Sequence, residues 1–135
     1  PYPNTGGDTA LERELQLARE LGVEPVQPGD SAFDDTIESG RVKWAVDESG
    51  NLLFVPASAQ GQEISHTVLT GGEPVLAAGE ADIVPDGEGG YLVLEVTRQS
   101  GHFQPTVESL DTGVSAFRAN GLTVPEDSIH PEIDR

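Results

Sequence analysis

Two residues in the middle of the chain have side chains and neighbours that suit proton transfer. The run "EISHTVLT" predicts a strand in which His66 lies between Ile64 and Val68 on one face. An imidazole titrates near neutral pH and can act as a general acid or base, and the alternative is a core histidine held by a backbone carbonyl. Glu80 lies among small residues in "AAGEA", where burial would favour the protonated carboxyl. We therefore predict His66 and Glu80 as catalytic residues. The small residues around Glu80 also predict that a helix or a ligand lies against the strand.

A third candidate lies in the hexapeptide "SGHFQP" at 100–105, between a strand-like run and a helix-like run. The first turn of a helix presents unpaired N–H groups and a positive partial charge, so an anion could bind there, contacted by Ser100 and His102. The alternative is that Gly101 and Pro105 only turn the chain from sheet to helix. A hydrolase triad is excluded, because Ser100 is two residues from His102 and no nucleophile elbow surrounds it.

The sequence predicts neither a metal nor a cofactor. It has no cysteine, which excludes a thiolate zinc site, a cysteine nucleophile and the zinc-dependent nucleobase deaminases. The three histidines, at 66, 102 and 130, lack the regular spacing of zinc ligands, and "DESGN" does not match a calcium loop.

The charge of the chain limits its partners. It has 24 Asp and Glu residues against 7 Lys and Arg residues, a net charge of −17, and the acids are spread along the sequence. Such a surface repels nucleic acid and anionic lipid at long range. An RNA substrate would need a local cluster among Arg41, Lys43 and Arg98, or a partner that masks the charge. No apolar run is long enough to cross a bilayer, so we expect no membrane partner.

The elements that must position these residues are a helix, a sheet and a second helix. Thr9 with Glu12 predicts a capping box for a helix over 9–21. A meander of about five antiparallel strands is expected next, because the connections are too short for parallel crossovers. The five runs are "RVKWAV", "NLLFVP", "EISHTVLT", "PVLAAGEADIVP" and "YLVLEVTRQ". A second amphipathic helix runs from Pro105 to Gly121 and is expected to pack on the sheet.

This order of elements predicts an α+β fold with one domain. We place the domain at 9–130, after a linker at 1–8 that is rich in Pro, Gly and Asn and before a tail at 131–135. The chain does not begin with Met, so we expect it to be part of a longer protein.

Two stretches carry a resemblance to a known group of proteins. At 63–83, "EISHTVLTGGEPVLAAGEADI", and at 100–105 the chain resembles C-terminal domains of large bacterial polymorphic toxins, including Rhs-type proteins, often from actinobacteria. The resemblance extends from about residue 40 to the end. It implies a secreted effector domain that is cut from a carrier polypeptide, acts in the cytoplasm of a target cell and is paired with a cognate immunity protein.

The layout also resembles the barnase, EndoU and colicin-type ribonucleases among such toxins, which implies RNA cleavage without a metal through attack by the ribose 2′-hydroxyl. By role, Glu80 or His66 would activate the hydroxyl and His102 would protonate the leaving oxygen. A cation would stabilise the phosphorane. The predicted substrate-binding residues are Lys43, Thr67, Arg98 and Ser100.

Two other classes of function stay open. One is a toxin that consumes NAD by ADP-ribosyl transfer or hydrolysis, with Glu80 or Glu95 stabilising the oxocarbenium ion, since acidity is no handicap towards a small nucleotide. The other is an acidic immunity protein or binding module that masks a basic partner, because opposite net charges steer association.

Overall fold

A mixed β-sheet lies at the centre of the computed structural model, which describes residues 1–100, 103 and 106–131. In chain order the elements are α1 (Asp8–Leu21), α2 (Phe33–Glu38), β1 (Val42–Asp47), β2 (Leu52–Pro56), β3 (Ser58–Ala59), β4 (Gln62–Glu63), α3 (Thr67–Thr70), β5 (Val75–Pro85), β6 (Tyr91–Thr97), α4 (Val107–Ala119), β7 (Leu122–Thr123) and β8 (Ile129–His130), with a 3-10 turn at Glu126–Ser128 before β8. The predicted α+β class is confirmed.

The strand order in the sheet is β2-β1-β5-β6-β7, and β8 pairs with β6 beside β7. The pairs among β2, β1, β5 and β6 are antiparallel, as predicted. β5 pairs with β1 and not with the strand before it in the chain, so the order of the strands differs from that of the predicted meander. β7 and β8 run parallel to β6, which the antiparallel meander did not include. The reason is α4, which lies between β6 and β7 in the chain and is long enough to bring the chain back in the same direction. β3 and β4 form a separate two-stranded hairpin.

The prediction of a strand over "EISHTVLT" was wrong. Residues Thr67–Thr70 form the short helix α3, and Gly71 ends it in the left-handed conformation with φ 66°. Val68 and Leu69 are buried, and the Thr67 hydroxyl donates a hydrogen bond of 2.8 Å to Glu14 in α1. Packing against α1 thus outweighs the strand preference of β-branched residues, which depends strongly on context.

The start of α1 also differs from its prediction. The helix begins at Asp8 after Gly7, which has φ 82°, and no side chain caps it, so the capping box of Thr9 and Glu12 was wrong. Ahead of the helix, Tyr2 pairs with Val75 through two backbone hydrogen bonds of 2.6 and 3.0 Å. The domain boundaries stay predictions, and residues 132–135 of the predicted tail lie outside the described residues.

Two apolar clusters cover the two faces of the sheet. The larger one joins α2 and α4 to the face that carries Trp44, Phe54 and Ala77. The smaller one joins α1 and α3 to the opposite face around Ala45, Val55 and Ala78, and Phe103 is buried within it. Phe103 therefore packs on this second face. The helices in the described part of the chain are all too short or too polar to span a bilayer.

Small residues let the sheet and α4 approach each other around Trp44. A Cβ added to Gly113 of α4 would lie 2.3 Å from the Trp44 ring, and one added to Gly79 of β5 would lie 2.9 Å from it and 1.7 Å from the Thr97 carbonyl oxygen. The indole nitrogen donates to the Glu80 carbonyl at 3.1 Å. Packing of α4 accounts for Ala77 and Ala81 on the Trp44 side of β5. Gly79 is required mainly by the close approach of the Thr97 carbonyl oxygen.

Candidate functional site

Several of the predicted site residues meet at the middle of β5. Lys43 in β1 lies directly opposite Glu80 in the antiparallel register. His66 contacts the residue before Glu80, because its ring nitrogen Nε2 is 2.6 Å from the carbonyl oxygen of Gly79. The Thr97 hydroxyl accepts a hydrogen bond of 3.3 Å from the Glu80 backbone N–H. Residues from three distant parts of the sequence thus surround one point of the sheet.

His66 is buried, with 1% of its surface exposed. A carbonyl oxygen can only accept a hydrogen bond, so Nε2 carries the proton in this contact. The pairing of β5 with β6 ends at Ala81 and Val96, and Gly79 lies beyond that end. The imidazole therefore donates a hydrogen bond to a backbone carbonyl that lies beyond the end of the β5–β6 pairing. This is the alternative that the sequence left open, a core histidine held by a backbone carbonyl. Its predicted catalytic role stays a prediction.

Glu80 does not lie in the apolar setting that the small residues around it suggested. Its side chain is 19% exposed, and one of its carboxylate oxygens is 2.6 Å from Nε of Arg41. Nη1 of the same guanidinium lies 3.0 Å from Asp82 and 2.8 Å from Glu95. We call these four residues the Arg41 cluster. On the far side of Glu95, Nε2 of His130 is 3.9 Å from the second carboxylate oxygen.

The Arg41 cluster keeps its guanidinium charged. Burial lowers the pKa of Arg41, but the hydrogen bonds that its guanidinium donates to Glu80 and Glu95 and the negative charges of Asp82 and Glu80 outweigh this, so the pKa is raised above its ordinary value. Three carboxylates around one cation leave the cluster with net negative charge.

The predicted substrate-binding residues contact other parts of the chain. Lys43 is 5% exposed, and its ammonium lies 3.0 Å from a carboxylate oxygen of Glu63. Nε of Arg98 donates to the carbonyl oxygen of Pro131 at 2.6 Å. Thr67 donates to Glu14 in α1, as described above. An anionic substrate would therefore compete with protein oxygens for Lys43 and Arg98.

Ser100 and Phe103 are the described residues of the "SGHFQP" segment. The hydroxyl of Ser100 accepts a hydrogen bond of 3.2 Å from the backbone N–H of Phe103. Phe103 belongs to the same apolar cluster as Ile64 and Val68, which flank His66 in sequence. The predicted catalytic residue His102 lies outside the described residues.

The position of Arg41 among three carboxylates was not predicted, since the sequence indicates this residue only as a possible contact to RNA. A signal was present: Glu80 and Asp82 are two residues apart on one strand and so share a face, and Arg41 precedes the strand that pairs with it. Within the described part of the chain, no group of three or more His, Asp or Glu residues could hold a metal ion.

Comparisons with known proteins give no relative. No protein-family model matches the chain, and no curated protein and no solved structure matches it.

Proposed function

We propose that the chain is the effector domain of a secreted polymorphic toxin, released from a carrier polypeptide into the cytoplasm of a target cell and neutralised by a cognate immunity protein. The observation that supports this proposal is the meeting of Lys43, His66 and Glu80 at the middle of β5. Polar side chains rarely enter a core without a structural or functional reason, and Lys43 and His66 are both buried here.

The reaction we propose is cleavage of RNA without a metal. The carboxylate of Glu80 takes the proton of a ribose 2′-hydroxyl, whose oxygen attacks the neighbouring phosphorus, and His102 gives a proton to the leaving 5′-oxygen. Lys43 and Arg98 stabilise the charge on the phosphorane. His66, which is buried on the Gly79 carbonyl, positions the backbone beside Glu80.

The first prediction concerns cleavage of a defined RNA by the purified domain in the presence of a chelator. We expect products ending in a 2′,3′-cyclic phosphate, and a loss of at least about a hundredfold in rate in Glu80→Gln, the scale of lost acid–base catalysis. Glu95→Gln is the matched control, because it removes another carboxylate from Arg41 without removing the proposed base. Circular dichroism of both variants checks that the fold is kept.

Three outcomes would decide against this reaction. Equal losses in Glu80→Gln and Glu95→Gln would mean that the ion pairs with Arg41 matter, rather than proton transfer. If the RNA stays intact and nicotinamide is released from NAD, the domain is an NAD-consuming toxin and not a ribonuclease. If the wild-type domain also leaves bacterial growth unchanged when it is made in the cytoplasm, the effector proposal itself fails.

A second candidate function is a non-catalytic acidic protein that binds and masks a basic partner. The observation that favours it is that carboxylates of the chain itself already bind Arg41 and Lys43, two of the cations proposed to contact RNA. The chain as a whole has a net charge of −17. Opposite net charge would speed association with such a partner. Harmless expression of this domain, together with protection of cells against a co-expressed basic toxin, would favour this function over the effector.

A further inference from the structure

The far end of β5 has an open edge. β1 pairs with β5 only as far as Val42 and Ala81, whereas β6 pairs with β5 as far as Pro85. Among the described residues, the stretch 82–85 therefore has a neighbouring strand on one side alone. An unpaired stretch of this kind offers backbone N–H and C=O groups to another extended chain.

A groove of about 380 Å³ runs along this open edge. Its apolar lining comes from Ile37 of α2 and from residues of β5 and β6, including Val84 and Leu94. Leu94 is 52% exposed and Val84 is 36% exposed, and they are two of the three large hydrophobic residues with high exposure in the described part of the chain. Exposed apolar residues that gather at one groove are typical of a binding surface.

A β-bulge holds Leu94 at the surface. Val93 lies opposite Ile83 and Glu95 lies opposite Asp82, so Leu94 is one residue more than the facing strand can pair. Bulges bend a strand and change the direction of a side chain, and they are common near binding sites. The exposure of Leu94 thus follows from the register of the sheet.

The residues in and beside the groove carry an excess of negative charge. Glu38 and Asp82 line the groove, and Glu80 and Glu95 stand beside it in the Arg41 cluster. Arg41 is the one cation that lines the groove among the described residues. An occupant with Lys or Arg side chains would meet unbalanced carboxylates, and an acidic occupant would be repelled.

We propose that this groove binds an extended segment of a basic protein, which pairs with the open edge of β5. Alternate side chains of such a segment point to opposite sides of the sheet, so apolar ones contact Val84 and Leu94 on one side. The basic ones reach Glu38 on the other side, where α2 packs with Ile83. The proposal does not depend on the reaction proposed above, because it concerns recognition of a protein and not cleavage of RNA.

The experiment uses the whole chain and a synthetic octapeptide in which Lys and Val alternate. We expect saturable binding, with the largest NMR shifts at the amides of Ile83, Val84 and Leu94. Leu94→Lys is expected to weaken binding by at least about tenfold, because it removes apolar contact and adds a like charge. The matched control is Val107→Lys, at a position on α4 that is 50% exposed, and its affinity is expected to stay within about twofold of wild type.

Two further peptides separate the parts of the proposal. An octapeptide with Glu in place of Lys is expected not to bind, and one with N-methylated backbone at alternate residues is expected to bind weakly, because it cannot complete the strand pairing. The proposal is wrong if the Lys peptide does not bind, if its shifts spread over the whole acidic surface, or if Leu94→Lys and Val107→Lys weaken binding equally.

Discussion

At the scale of single residues, the ring of Trp44 is closely surrounded by its neighbours. The ring is fully buried, makes an edge-on contact with Phe117 at 5.3 Å between centroids, and has Gly79 on one strand and Gly113 on α4 beside it. Its indole nitrogen is fixed by the Glu80 carbonyl. The ring therefore has little freedom to move away from a larger neighbour.

This arrangement predicts the effect of Gly113→Ala. In an open helical position, replacing Gly by Ala stabilises by about 0.5–1 kcal/mol. At Gly113 the new methyl group would lie 2.3 Å from Trp44, so we expect destabilisation by about 1–3 kcal/mol, as in other overpacked cores. Urea unfolding followed by circular dichroism measures the change.

Ser115→Ala, at an exposed position of the same helix, serves as the control and is expected to change the free energy of unfolding by less than about 0.5 kcal/mol. A more stable Gly113→Ala protein would show that the space between α4 and Trp44 is larger than described.

At the scale of elements, α4 depends on the residue before it. Thr106 is the N-cap of α4, and its side-chain oxygen accepts a hydrogen bond from the backbone N–H of Ser109 at 3.4 Å. The same oxygen lies 2.8 Å from the hydroxyl of Tyr2, so the cap also connects the N-terminal segment to the helix. One side chain thus supports both the helix and its contact with residues far away in sequence.

The expected cost of Thr106→Ala is about 1 kcal/mol in the free energy of unfolding, the usual cost of a lost N-cap. Thr112→Ala, at an exposed position inside α4, is the comparison, because it removes a Thr without removing a cap. Denaturant curves for the two variants give the difference. Equal stability of the two variants would contradict the role of Thr106.

The elements themselves could be predicted where the pattern of apolar residues is long. β1, β2, β5 and β6 follow from period-two runs, and the two long helices follow from helical spacing. α3 could not be predicted, because a segment of four residues has too little pattern and its contacts with α1, such as that of Thr67 with Glu14, join residues far apart in sequence. The two-residue strands β7 and β8 likewise depend on where α4 returns the chain.

Single residues of the candidate site could be predicted from the sequence, but the contacts between them could not. Glu80 and Lys43 could be selected as polar residues on strands, but their direct opposition depends on the register of β1 against β5. The Arg41 cluster also joins residues 41, 80, 82 and 95, which the sheet brings together across long stretches of sequence. Sequence periodicity gives the face of a residue and not its partner on the next strand.

At the scale of the whole molecule, the excess of acidic residues lowers the free energy of unfolding, because like charges repel one another in the folded chain. The charges that make up the net −17 of this 135-residue chain repel one another most strongly when the chain is compact. Dissolved salt screens this repulsion over about 10 Å at 0.1 M. The Arg41 cluster offsets only part of the negative charge, since one guanidinium meets three carboxylates.

We therefore expect the midpoint of thermal unfolding to rise as NaCl is increased from about 0.01 M to about 0.5 M, where the screening length becomes short. The measurement is thermal unfolding at neutral pH at several salt concentrations. Arg41→Gln should steepen this dependence, because it adds one more net negative charge in the middle of the acids. A midpoint that falls with salt would show that ion pairs such as Arg41 with Glu80 outweigh the general repulsion.

The burial of Trp44 has one more consequence. It is the only tryptophan in the chain, and its ring lies between the sheet and α4. Its fluorescence in the folded protein should therefore be emitted at short wavelength, and separation of α4 from the sheet should shift the emission to the red. The fluorescence of Trp44 can thus follow the packing of α4 on the sheet in real time, without a substitution or an added dye.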